Sequence, residues 1–137
     1  VIIDMPSGLS DDVTSLFSIL DELIIVTNSD MPSITEALKT IRLSENNNLL
    51  VIGIILNKSS QSNIISNNNI ETILGKKIIA EIPHDKNIYS ALKSNQPIVY
   101  SFPNSPASLE FKKLAAKLIG VNYPESFNKS LFSPSVK

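Results

Sequence analysis

Three places along this chain carry side chains whose type and setting could do chemistry. The apolar run Val1-Ile2-Ile3 stops at Asp4, and Pro6 and Gly8 break the chain before Asp11 and Asp12. An acid at the carboxyl end of a strand in an open α/β sheet faces the crevice where ligands bind, so Asp4 reads as a contact to a ligand or to a metal-bound water. The alternative is an Asp that caps a turn ahead of Pro and Gly. Asn57 ends a second apolar run, LLVIGIIL, and is followed by Lys58. Its amide both donates and accepts, which complements the N6 and N7 edge of adenine, or else it simply closes the strand in a turn. A third run, IIAEI, leads into Pro83-His84-Asp85. His84 is the only histidine and reads as a surface loop residue without an assigned role.

Elements that could position these groups are visible around them. Continuous apolar runs at 1–3, 23–26, 49–56 and 78–82 are those of strands covered on both faces, as in parallel sheets. Helical patterns alternate with them. Val13, Leu16, Phe17 and Leu20 stripe the stretch 10–20, with Ser10 as N-cap and Asp11 and Asp12 complementing the helix dipole. A second helix is expected from Ser33, which with Glu36 forms a capping box, over Ile34, Leu38 and Ile41 to the asparagines at 46–48. A third is capped by Asn67 or Asn68, striped by Ile70, Ile73 and Leu74, and stopped at Gly75, with Lys76 and Lys77 in a solvated turn. Further helices are expected over 86–93 and from Ser105 or Ser108 to Leu118, with Pro106 in a first turn. The alternation predicts an α/β fold, a mostly parallel sheet with helices on both faces.

Composition narrows the function classes. The 137 residues suffice for one domain, with 42% hydrophobic and 18% charged residues and a net charge of −1. Arg42 is the only arginine, which argues against nucleic-acid binding. The absence of cysteine excludes a disulfide framework, a Cys-held zinc and a Cys-ligated cluster within this stretch, and suits a reducing compartment. No apolar stretch approaches the roughly 18 residues of a membrane-spanning helix, so a soluble chain is expected. The chain opens on Val1 inside what reads as a strand, so the expectation is a fragment, the second half of something longer.

Asp4-Met5-Pro6-Ser7-Gly8 resembles the Walker B strand and switch II segment, D-x-P-[AS]-G, of the MinD/ParA group of deviant Walker A ATPases. Downstream, LIIVTNSD is similar to that family's strand ending in T-N-P-E, ITEALKTI to the helix that follows, and GIILNK, AEIPHD and NSPASLEFKKLAAKLIG to later segments in the same order. The resemblance covers residues 1–120 and is to the C-terminal half of such proteins, particularly archaeal MinD-like ones. It implies a partial P-loop NTPase-like sheet and, in a full-length protein, ATP or ADP with Mg²⁺, a homodimer and a cytoplasmic switch in septum-site placement. Asp4 would then accept hydrogen bonds from water on Mg²⁺, a hard ion that keeps several waters. Pro6 and Gly8 would belong to the segment that senses the γ-phosphate. Asn57 would contact the base, Lys58 would flank it, and Pro83 and Asp85 would border the adenine pocket.

The sequence also departs from that family. Ser29 and Asp30 stand in place of its Pro and Glu, and with glycines only at 8, 53, 75 and 120 no G-x-x-x-x-G-K-[ST] loop can be written. The 137 residues alone are therefore expected to be inactive and to self-associate. Alternatives are a DNA-partitioning ParA protein, against which the single arginine counts, and a non-enzymatic truncated interaction module. Residues 121–137 read as a flexible tail, with Phe127, Leu131, Phe132 and Lys129 on one side and Pro134 cutting the segment short, enough for at most a weak peripheral membrane contact.

Overall fold

The computed structural model describes residues 1–6, 8, 11–60 and 64–123. Three strands form one sheet in the order β1-β2-β3: β1 at Glu22–Thr27, β2 at Leu50–Ser59 and β3 at Ile78–Pro83. The helices are α1 (Asp11–Leu16), which runs on into a 3₁₀ turn at Phe17–Ile19, α2 (Met31–Asn46), α3 (Asn67–Leu74), α4 (Lys86–Lys93), α5 (Ile98–Ser101) and α6 (Pro106–Leu118). The expected α/β alternation is present, with helices flanking a parallel sheet. The chain falls into two compact units, Val1–Asn57 with Gln61–Ile79, and Lys58–Ser60 with Ala80–Lys137.

In the first unit the parallel β1–β2 ladder contains one irregularity. Leu23 pairs with Val51 but Ile24 pairs with Gly53, so Ile52 is an extra residue on β2. Side chains alternate along a strand, and one inserted residue reverses the alternation beyond it. Val51, Ile54 and Leu56 thus share a face with Leu23, Ile25 and Thr27, and on this face Ile34, Ala37 and Ile41 of α2 and Ile70 and Leu74 of α3 complete a buried cluster. The opposite face leaves Val26 and Leu50 61% and 57% exposed. A smaller cluster joins Val13, Phe17 and Leu49, with Met5, Leu20 and Leu43 packed on it.

The first expected strand does not form. Val1, Ile2 and Ile3 are exposed and carry no strand structure, because a strand is stable only in a ladder and no described residue pairs with them. Two caps also differ from expectation. Asp30, not Ser33, caps α2: its Oδ1 accepts from the Ser33 N–H and its Oδ2 from the Ser33 hydroxyl, both at 2.9 Å. With Pro32 in the first turn the helix starts earlier, and Glu36 pairs with Lys39 at 2.7 Å instead of closing a box. Ser66 caps α3, ahead of both candidate asparagines, and Gly75 ends it as expected. The proposed Ser10 cap lies outside the described residues. Lys76 and Lys77 are ion-paired with Glu45 and Glu71, each at 2.8 Å.

The second unit holds α4, α5 and α6, with α5 adjacent to both of the others. Its buried side chains include Ile82, Ala91, Ile98, Ala107 and Leu114. Helix α5 was not expected. It is only four residues long, too short for a periodic pattern, and it follows Pro97.

Gly53 is required by close packing. A Cβ there would collide with Cγ2 of Ile79 and sit 3.2 Å from the Lys77 carbonyl oxygen. Cγ2 belongs to a stiff β-branched side chain and the carbonyl to the backbone, so neither yields cheaply. Gly53→Ala is expected to destabilise the chain by about 1–3 kcal/mol, the usual cost of overpacking, read as a lower urea midpoint by circular dichroism.

Candidate nucleotide-base site

Each expected site residue can now be placed. Asp4 and Pro6 lie exposed among residues 1–6, which form no helix or strand, and Gly8 has φ +104°, a conformation side chains resist. The structure therefore does not hold Asp4 at a strand end. Asn57 is half-buried near the end of β2. Lys58, Pro83 and Asp85 belong to the second unit, where the Ser59 carbonyl accepts a 3.0 Å hydrogen bond from the His84 N–H. This bond ties the last residue of β2 to the residue that follows β3.

Lys58 has φ +52°, a left-handed backbone at a non-glycine residue inside a strand assignment. Such a conformation costs about 1–3 kcal/mol and persists only where the surroundings over-determine it. It turns the chain at the position where the N-K motif places its side chains.

Asp85 is bound more tightly than a loop acid need be. Its Oδ1 accepts from the Asn87 N–H at 2.9 Å, capping α4. Its Oδ2 accepts at 3.2 Å from the N–H of Ala107, a fully buried residue in the first turn of α6. The nearby Ser105 hydroxyl helps to hold the carboxylate ionised. The first N–H groups of α6 are thereby all satisfied. Ser105 N–H donates to the Phe102 carbonyl at 3.0 Å, Pro106 has none, Ala107 N–H goes to Asp85, and Ser108 N–H goes to Ser105 Oγ at 3.4 Å. The Ser105 and Ser108 hydroxyls, both buried, lie 3.1 Å apart.

The sequence reading missed this linkage. Ser105 and Pro106 were legible as a helix start, but nothing local shows that the amide of Ala107 is served by an acid 22 residues earlier. The left-handed turn at Lys58 was equally invisible, because Lys carries no preference for it.

Among the described residues three carboxylates are held below their ordinary range. At Asp85 burial pushes the group up, but the hydrogen bonds from the amides of Asn87 and Ala107 and the Ser105 hydroxyl together outweigh it. At Asp30 the Ser33 N–H and hydroxyl do so, and at Glu71 the Lys77 ammonium and the Ile78 N–H.

A model of the ParA family, described as NUBPL iron-transfer P-loop NTPase, matches residues 1–119. The chain belongs to the ParA family of P-loop NTPases. An uncharacterized ATP-binding protein of Methanocaldococcus jannaschii is 35% identical over 130 residues, 94% of this chain and 49% of the relative. Among solved structures, the cell division ATPase MinD of Pyrococcus furiosus superposes with a TM-score of 0.77 at 28% identity, over 85% of this chain and 50% of that one. The septum site-determining protein MinD of Pyrococcus horikoshii, complexed with Mg-ADP, does so with a TM-score of 0.76 at 28% identity, over 84% and 48%. This ParA-family chain spans about half the length of the curated relatives it matches.

Two outcomes follow from this geometry. Val is ordinarily favoured over Gly in a strand, but at Lys58 the order should invert: Lys58→Gly stays within about 1 kcal/mol of the parent while Lys58→Val loses about 1–3 kcal/mol in urea unfolding. The lowered carboxylates bind protons later in the folded chain than in the unfolded one. Their contribution is full above the ordinary carboxylate range near pH 4 and is lost as the pH falls through the lowered values. The urea midpoint should therefore fall on acidification below about pH 5, and Asp85→Asn should give a lower neutral plateau with a shallower acid limb.

Proposed function

We propose that this ParA-family chain supplies the base-binding half of a MinD-type nucleotide switch. The observation that carries the reading is the pairing of the two strand ends in the second unit. The Ser59–His84 hydrogen bond ties the end of β2 to the loop after β3 in the unit that holds Lys58, Pro83 and Asp85, and Asn57 immediately precedes Lys58 in the chain. In this reading the Asn57 amide meets the N6 and N7 edge of adenine, Lys58 flanks the ring, and the loop at 83–85 borders it.

The residues present fit a base and do not fit the phosphates or the metal. No G-x-x-x-x-G-K-[ST] loop can be written in the 137 residues, and among the described residues no cluster of three or more His, Cys, Asp or Glu could hold an ion. A lone exposed carboxylate, Asp4, does not make a magnesium site, although in a protein that also carries the phosphate loop it would receive the waters of Mg²⁺, followed by Pro6 and Gly8 as the sensing segment. Hydrolysis of ATP, homodimerisation and a role in septum-site placement belong to that larger protein in this proposal. So does a cytoplasmic location with weak membrane contact through the tail, whose residues 124–137 lie outside those described. No helix among the described residues is long and apolar enough to cross a membrane.

Two neighbouring functions have less support. DNA partitioning calls for a basic surface, and this chain has one arginine and a net charge of −1. The iron transfer named for the matching family would call on soft ligands, and these 137 residues contain no cysteine.

The ¹⁵N-labelled chain tests the reading directly. Millimolar AMP and ATP should shift the amide signals of Asn57, Lys58 and His84 alike, because no phosphate loop distinguishes them, and GTP should not. Asn57→Ala should erase that preference, a good bidentate base contact being worth about 1–3 kcal/mol of discrimination. Equal shifts with GTP, or none at these residues, would remove the base-site assignment. Magnesium-dependent ATP hydrolysis by the 137 residues alone would show that the division between base half and phosphate half is wrong.

A further inference from the structure

The loop that borders the proposed base site is held at three points. The His84 N–H reaches the Ser59 carbonyl, Asp85 Oδ1 takes the Asn87 N–H, and Asp85 Oδ2 takes the Ala107 N–H. The last of these is the unusual one. An Asp that caps the helix following it is ordinary, but this Asp also serves the first turn of a second helix, at a buried amide whose neighbours donate elsewhere. Both carboxylate oxygens of Asp85 are engaged by backbone amides, Oδ1 by Asn87 and Oδ2 by Ala107.

We infer that Asp85 is a positioning residue of the base site, its one carboxylate locking the loop after β3 to the first turns of both α4 and α6. The functional half of this inference rests on the base-site reading above, and the structural half on geometry alone. Because the same carboxylate serves both, a ligand that settles on the loop biases the first turn of α6, and any change at that turn alters the loop in return, as reciprocity of coupled equilibria requires. Ser105 belongs to the same device. It caps α6, donates to Ser108 and favours the ionised form of Asp85, yet it is 20 residues removed in sequence from the loop that would meet the base.

The test uses the ¹⁵N-labelled 137-residue chain with AMP as the probe. In the parent, the amide protons of Asn87 and Ala107 should follow one common acid midpoint, and in Asp85→Asn that titration should vanish from both. AMP affinity, read at Lys58 and His84, should fall about three- to tenfold in Asp85→Asn, the equivalent of one hydrogen bond. It should fall in the same direction in the milder Ser105→Ala, whose thermal midpoint guards against simple unfolding. Loss of AMP binding in Asp85→Asn with none in Ser105→Ala would mean that Asp85 touches the base itself and would overturn the positioning role. Unchanged AMP binding in both folded variants would overturn it as well, leaving only a helix clasp. A parent that ignores AMP would sink the base-site reading and the functional half with it, while the paired amide titration would still decide whether the clasp exists.

Discussion

One inserted residue, Ile52, sets the arrangement of the first unit. Without it the apolar run from Leu49 to Leu56 would send Val51, Gly53 and Ile55 to one face and leave Ile54 and Leu56 on the other. With it, Val51, Ile54 and Leu56 all meet α2 and α3, and Gly53 turns to the face where Ile79 lies against it. A bulge in a parallel ladder costs a local pairing, and here the return is a buried cluster in which Ile34, Ile54, Leu56 and Ile70 are wholly enclosed. Asn57 and Lys58 follow this run near the end of β2.

What happens at that end is governed by hydrogen bonds and not by apolar contact. Lys58 adopts a left-handed turn, Ser59 receives the amide of His84, and Asp85 then satisfies two helix termini with one side chain. Buried amides at a helix start cost free energy when unpaired, so an acid placed to serve one of them is under strong constraint. A loop constrained in this way presents a fixed surface, which is what recognition of a flat, rigid ring demands.

Much of the architecture was legible in the sequence because the signals were local. Alternating apolar runs and helical stripes located the three strands that form, Ser105 and Pro106 marked the start of α6, and Gly75 the end of α3. Where the reading failed, the deciding partner was elsewhere. Val1–Ile3 has strand composition but no neighbour to pair with among the described residues, and a strand is a property of two chains of backbone. Ser33 has the composition of a cap, but Asp30 takes the role by engaging both the N–H and the hydroxyl of Ser33, and Pro32 fits the turn it opens. The candidate site divides in the same way. Asn57, Lys58, Pro83 and Asp85 were nameable from their motifs, whereas the reach of Asp85 to Ala107 depends on how α6 packs and has no local signature.

The separation of base from phosphate has a chemical basis. Phosphate recognition needs a run of converging backbone amides and a lysine on a glycine-rich loop, supplied by one continuous segment at a helix start. Base recognition needs a few side-chain and backbone groups fixed at neighbouring strand ends, and the segments proposed for it here, Lys58 and the loop at 83–85, lie far apart in sequence but belong to one compact unit. The two tasks share no residues, so one can be assembled by a stretch of chain that lacks the other. On the proposed base side, the carboxylate of Asp85 ties the loop to the first turns of α4 and α6 through its bonds to Asn87 and Ala107, with no phosphate contact required.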